Sequence, residues 1–159
     1  INFLFELMRK FFKRNLNKII KQNIKVSVIG KKNKLPKYIR QIISKVEKET
    51  RNNDKIHLIL AINYGAKEEI VDACNKILSS SAKNVNCSTF QKALYTSSIP
   101  DPDVLIRTGG KQRLSNFLLW QLAYTEIFFV KEMWPEFKNG QYINILKKFK
   151  KIKRNFGSI

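Results

Sequence analysis

The stretch DPDVLIRTGGKQRLSNFLLWQLAYTEIFF, Asp101 to Phe129, decides how this chain is read. A short apolar run, Val104-Leu105-Ile106, ends in Arg107, Thr108 and the paired glycines Gly109 and Gly110. Arg113 follows, and Ser115 opens a strongly apolar segment that predicts a helix to Thr125. Buried strand, cationic loop and helix N-terminus, in that order, are how α/β proteins build an anion site. Each charge-assisted hydrogen bond contributes roughly 1.5–3 kcal/mol, so two guanidiniums beside free backbone N–H groups suit a diphosphate. Gly109 and Gly110 let the backbone approach phosphate oxygens without a Cβ in the way. Ser115 is placed to cap the helix with its hydroxyl, to contact a phosphate, or to do each in turn. The structural alternative pairs Arg107 with Asp101 or Asp103 and leaves Arg113 solvated.

The flanking sequence alternates strand and helix. Ile24–Gly30 (IKVSVIG) reads as a strand, and Pro36 suits the first turn of a helix carrying Ile39, Ile42, Ile43 and Val46. Ile56–Ile62 (IHLILAI) is nearly continuous apolar sequence, as expected for a strand covered on both faces of a parallel sheet. It ends in Asn63-Tyr64-Gly65, before a helix with Ile70, Val71, Cys74 and Ile77. Residues 79–87 read as a mobile loop, and Ser88–Tyr95 as a short helix capped by Ser88. Asp103–Arg107 and Glu126–Val130 read as strands, and Tyr142, Ile145, Leu146, Phe149, Ile152 and Phe156 as the stripe of a final helix. At the other end, Leu4, Phe5, Met8, Phe11, Phe12, Leu16 and Ile19 keep helical spacing, and Phe3 and Leu7 widen the stripe past one face. The fold class is therefore α/β, a mostly parallel central sheet flanked by helices. Ligands in such sheets bind beyond the carboxyl ends of the strands. Gly30, Asn63-Tyr64-Gly65 and Arg107–Gly110 are expected to form one lip of a cleft.

At 159 residues and 43% hydrophobic, the chain suits one packed domain, residues 1–159. A net charge of +19 favours anionic partners: nucleic acid, an acidic lipid surface or phosphorylated small molecules. Lysine recurs along the whole chain, so compositional drift explains much of that charge equally well. Cys74, Cys87 and the single histidine, His57, exclude a Cys/His zinc site. Residues 1–8, INFLFELM, are interrupted by Arg9, Lys10, Lys13 and Arg14 and are too short to span a bilayer. They read as a core helix entered midway, which makes the domain N-terminally incomplete.

The run from Arg107 to Gln121, RTGGKQRLSNFLLWQ, resembles the signature of the cis-prenyltransferases, the undecaprenyl and dehydrodolichyl diphosphate synthase family. The similarity extends to NYGAKEEIVDA at 63–73 and MWPEF at 133–137, and more loosely over the entire chain. The resemblance implies the cis-prenyltransferase fold, with Arg107, Gly109, Gly110, Arg113, Leu114 and Ser115 binding the diphosphate of isopentenyl diphosphate. It implies that Glu126 helps hold Mg2+, although a parallel arrangement puts Glu126 away from the other strand exits. A surface pair with lysine is the alternative for that carboxylate. The implied reaction condenses isopentenyl diphosphate onto an allylic diphosphate such as farnesyl diphosphate, giving a long-chain cis-polyprenyl diphosphate in a homodimeric enzyme. Elongation would move carbon into an apolar tunnel at roughly 0.8 kcal/mol per buried CH2. Leu4, Leu7, Met8, Phe11 and Phe12, with Ile59 or Ile62, are candidates for either tunnel or core. The implied location is cytoplasmic or peripheral to the endoplasmic reticulum membrane.

Several positions depart from the family pattern. Its Asp-Gly-Asn-Gly-Arg-Trp motif, which holds the principal Mg2+-binding aspartate, is absent from this sequence, so that catalytic residue is expected upstream. Lys111 stands where the family usually has Glu, and Ala66-Lys67 replaces a common Gly-Arg. In the tail RNFGSI, Asn155 occupies the arginine position of an Arg-x-Gly motif that reaches a neighbouring subunit, so Arg154 would have to substitute. A noncatalytic partner subunit of a heteromeric cis-prenyltransferase is the main alternative, but the isopentenyl-site residues are intact here. A nucleic-acid-binding domain rests on charge alone, without a binding motif. The lysines of the last helix, Lys147, Lys148, Lys150, Lys151 and Lys153, form a solvated face or touch anionic lipid.

Overall fold

The helical spacing of the opening residues is realised as α1 (Asn2–Lys21) in a computed structural model that describes residues 2–80 and 84–157. The chain divides into two compact units that meet in sequence between Thr96 and Ser97. In the first, α1 is followed by β1 (Ile24–Ile29), α2 (Lys37–Glu49), β2 (Ile56–Ala61), α3 (Ala66–Leu78) and the short α4 (Cys87–Ala93). In the second are β3 (Val104–Arg107), β4 (Glu126–Phe129) and α5 (Asn139–Phe149).

Strand pairing is parallel throughout the described residues, as the α/β reading requires. It comes in two ladders: Ile24↔Ile56 through Ile29↔Ala61, and Val104↔Glu126 through Arg107↔Phe129. The core of the first unit joins helix and strand. Phe12 and Ile19 of α1 cluster with Val26 and Val46, while Val28 packs with Leu35, Ile39 and Ile43. The wide stripe of α1 therefore divides: one side enters this core, and Phe3, Leu4, Leu7 and Phe11 remain exposed. β2 departs from expectation. Ile56 is 54% and Leu58 41% exposed, so the near-continuous apolar run is not covered on both faces by the described residues.

β1 has an edge away from β2, and side chains close it. Thr50, fully buried just past α2, accepts from the Val26 amide (3.0 Å) and donates to the Val46 carbonyl (2.8 Å). Glu47 accepts from the Val28 amide (2.8 Å), and Asn53 donates to the Ile24 carbonyl (2.8 Å). Unpaired strand amides that would template aggregation are thereby satisfied. At the strand exits, the Lys31 amide donates to the Asn63 carbonyl (3.1 Å). Gly30 has φ +111, and a Cβ there would meet the Ile62 carbonyl oxygen at 2.3 Å, so only glycine fits this crossing.

Behind these exits lies an acidic network. Glu69, 1% exposed, accepts from the Tyr64 hydroxyl (2.5 Å) and the Tyr95 amide (2.8 Å). The Tyr95 hydroxyl donates to Asp72, which Lys31 also approaches at 3.1 Å. The Tyr95 hydroxyl, and then Lys31, hold the Asp72 carboxyl below its ordinary value.

Three helix expectations are corrected. The segment Ser115–Thr125 is not a helix: Ser115, Asn116 and Leu118 have φ of 52°, 63° and 41°, and tight turns follow. Left-handed residues at those positions cannot propagate a right-handed helix. The helix placed at Ser88–Tyr95 starts at Cys87, because Asn86 rather than Ser88 caps it by accepting from the Thr89 amide. The last helix stops at Phe149, leaving Ile152 and Phe156 in the irregular tail. The loop expected at 79–87 falls partly on residues 81–83, which lie outside the described residues.

Thr50→Val strands the Val26 amide and should cost about 1–3 kcal/mol, read as a lowered urea midpoint, whereas Thr50→Ser should retain most of the stability. Tyr95→Phe removes the main cause of the depressed Asp72 pKa. A depressed carboxylate adds stability above its unfolded value that is lost as pH falls through the folded value. The variant should therefore be less stable at neutral pH, with the deficit shrinking below about pH 4. An equal deficit at pH ~7 and pH ~2.5 in urea titrations would refute the role of Asp72.

Candidate functional site

β3 delivers Arg107 at its carboxyl end, and the loop after it is set by backbone before side chains. The Val130 amide donates to the Arg107 carbonyl (2.8 Å), the Gly110 amide to Val130 (2.9 Å) and the Gly109 amide to Glu132 (2.7 Å). Gly109 and Gly110 have φ of +87° and +70°, conformations that side-chain-bearing residues adopt only with strain. Their amides are thus already spent on carbonyls. These two glycines shape the turn, and their lack of a Cβ leaves the backbone open to approach.

Unspent donors lie further along. Lys111, Gln112, Arg113 and Leu114 have backbone amides that donate to no group among the described residues. The Lys111 and Arg113 side chains are exposed and make no ion pair there. Arg107 is half-buried, and its Nη1 donates to the Arg113 carbonyl and to Ser115 Oγ (2.9 Å). That side chain bridges the loop from end to end. Its Nε is buried without a partner. The acid-paired alternative for Arg107 is not realised, because its hydrogen bonds go to Arg113 and Ser115. Ser115 is correspondingly not a helix cap, its φ being left-handed and its oxygen engaged by Arg107. Leu114 is half-buried and accepts at its carbonyl from Phe117 (3.2 Å).

Glu126 stands apart from this loop. It opens β4 opposite Val104, three residues down the parallel ladder from the Arg107 pair, about 10 Å at ordinary strand rise. Its amide donates to the Asp103 carbonyl (3.1 Å), and its carboxylate makes no ion pair among the described residues, so the lysine-paired alternative is not realised either. Nor do the described residues gather three or more His, Cys, Asp or Glu side chains in any one place.

The tail holds a contact that sequence reasoning missed. Arg154 ion-pairs with Asp103, donates to the Tyr124 carbonyl (3.1 Å) and lies 4.7 Å from the Phe156 ring centroid. Arg154 is therefore engaged within its own chain. Asp103, just before β3, was with Asp101 the alternative partner for Arg107, four residues away in sequence. A tail arginine between aromatics was the available signal for the true pairing.

With this geometry in hand, known proteins give the context. The prenyltransferase family model of undecaprenyl diphosphate synthases matches residues 1–157. The chain belongs to this family of cis-prenyltransferases. The isoprenyl transferase of Rickettsia felis is 43% identical over 157 residues, covering 99% of this chain and 67% of that protein. Dehydrodolichyl diphosphate synthase 2 of Arabidopsis thaliana is 39% identical, over 99% of this chain and 53% of that protein. Among solved structures, lavandulyl diphosphate synthase from Lavandula x intermedia in complex with dimethylallyl diphosphate superposes with a TM-score of 0.92. It is 35% identical, with 99% of this chain and 71% of that one covered. The relatives are prenyltransferase enzymes, and the α/β fold with parallel strands is theirs.

Arg107→Lys keeps the charge of this family member but cannot span Arg113 and Ser115 together. Amides at 108–118 should then exchange with deuterium about fivefold faster per hydrogen bond lost, while β1 and β2 are unchanged. Equal exchange rates would show that Arg107 does not organise the loop.

Proposed function

We propose that the chain condenses isopentenyl diphosphate onto an allylic diphosphate such as farnesyl diphosphate, producing a long-chain cis-polyprenyl diphosphate, with both units in one prenyltransferase domain. The observation that carries this reading is the set of unspent donors on the β3 loop: Arg107 Nε, the Arg113 guanidinium and the amides of residues 111–114. A diphosphate satisfies such donors with charge-assisted hydrogen bonds. In this reading Arg107 and Arg113 hold the isopentenyl diphosphate. The Ser115 hydroxyl, accepting from Arg107, directs its own proton to a phosphate oxygen. Leu114 contributes its amide, and Gly109 and Gly110 fix the turn that presents all of them.

The growing chain needs carbon to lie against. The exposed side of α1 supplies Leu4, Leu7 and Phe11, with Ile59 half-buried on β2, whereas Met8, Phe12 and Ile62 pack in or against the core. The former are assigned to the tunnel and the latter to the core. Mg2+ is the family's cofactor, and Glu126 is proposed as one carboxylate toward it. In this reading the chain's own residues contribute anion binding and chain burial. The alternative, a noncatalytic partner subunit, is disfavoured by the presence of Arg107, Gly109, Gly110, Arg113 and Ser115. A homodimer is proposed, for which exposed Ile127 and Phe129 of β4 offer apolar surface. No helix of the described residues is long and apolar enough to cross a membrane. The proposed location is cytoplasmic or peripheral to the endoplasmic reticulum membrane.

Arg113→Ala in the intact protein should raise the KM for isopentenyl diphosphate about 10- to 100-fold without altering the circular dichroism spectrum. An unchanged KM and kcat would remove Arg113 from the site, and a wild-type protein inactive alone but active with a second subunit would favour the partner reading.

A further inference from the structure

α1 and α2 pack side by side and leave between them a groove of about 620 Å3. Its floor is carbon, with Phe12 and Val46 in the core and Leu16 and Ile42 only half-buried. Its rim is cationic, with Arg9 and Lys13 from α1 and Lys45 from α2. A second depression, about 640 Å3, continues along α2, sharing Gln41 and Lys45 and adding Lys37, Arg40 and Lys48. Arg9 is paired with Glu6 at 2.8 Å, and Lys45 lies 3.8 Å from Glu49. Lys13, Lys37, Arg40 and Lys48 are exposed and have no carboxylate partner among the described residues.

Those four charges separate this face from a compositional scatter of lysines, because they border two adjoining depressions that share Gln41 and Lys45. Unneutralised cations around a rim ask for anions. A half-open aliphatic floor between them asks for a partner that also carries hydrocarbon. A nucleic acid meets the first demand, but it stacks on successive aromatic faces, and the groove offers one exposed aromatic, Tyr38, beside the aliphatic Leu16 and Ile42. An acidic phospholipid leaflet meets both demands, with phosphates at the rim and acyl carbon below.

We propose that the α1–α2 face docks the protein on an acidic phospholipid surface, Lys13, Lys37, Arg40 and Lys48 meeting headgroup phosphates and Leu16 and Ile42 meeting acyl chain. This surface lies wholly in the first unit and does not depend on the isopentenyl-site assignment. Each surface cation contributes roughly fivefold to binding of an anionic leaflet.

Flotation of the intact protein with phosphatidylcholine–phosphatidylglycerol vesicles, and with pure phosphatidylcholine vesicles, tests it. The wild type should float only with the acidic vesicles. Lys13→Gln, Arg40→Gln and Lys48→Gln combined should weaken that binding about a hundredfold, and Arg40→Gln alone about fivefold, with isopentenyl diphosphate KM unmoved. The control replaces Lys147, Lys148 and Lys151 of α5 by Gln and should retain most of the binding. Three results would overturn the proposal: undiminished binding by the groove variant, an equal loss in the α5 control, or retention of RNA oligonucleotides but not vesicles.

Discussion

Parallel strand pairing constrains everything else in this molecule. Two parallel strands share a direction, so the chain must return between them through a helix or a long excursion, and both exits fall at the same end. In the first unit α2 makes the return and then serves twice. Its apolar face packs on β1, while Glu47 and, just beyond, Thr50 close the β1 edge by accepting from Val28 and Val26. In the second unit the return from β3 to β4 is not a helix. It is the arginine loop and the turns that follow it. The segment that satisfies the topology is thus the segment that holds the unspent donors.

The loop spends its hydrogen-bonding groups in a particular order. The glycine amides go to the carbonyls of Val130 and Glu132, which fastens the loop to the exit of β4. Arg107 then closes it by reaching Arg113 and Ser115. What remains unsatisfied is the tip, residues 111–114, with two exposed cations, and the buried Arg107 Nε. Lys111 adds to that positive charge at a position where the family usually has an acid. The same ladder that presents Arg107 at its carboxyl end leaves Glu126 at its amino end. Arg107 and the Glu126 carboxylate are therefore separated along β3–β4 by strand geometry alone.

Much of the fold was legible because its signals are local. Helical spacing in α1, α2 and α3 and the apolar runs of β1–β4 placed the regular elements to within a residue or two at most ends. The failures share a cause. The apolar content of FLLWQLAY reads as helix, but the left-handed backbone at Ser115, Asn116 and Leu118 accompanies a long-range bond from Arg107, which no local propensity encodes. Ser88 reads as a cap from its type alone, but the capping box with Thr89 puts the cap at Asn86. Arg154 and Asp103 are 51 positions apart, beyond any periodicity argument.

Sequence by itself determined the α/β class, most of the element order and the family, because composition, periodicity and the RTGG…RLSNF signature are properties of neighbours along the chain. Tertiary structure decided which donors in that loop are free, which side of α1 is core, and where Arg154 is held. Each of those depends on which distant carbonyl, carboxylate or apolar face arrives to compete for the group. The glycines show the difference most clearly: sequence marked them as a turn without side chains, and only the arrival of the Val130 and Glu132 carbonyls showed where their amides donate.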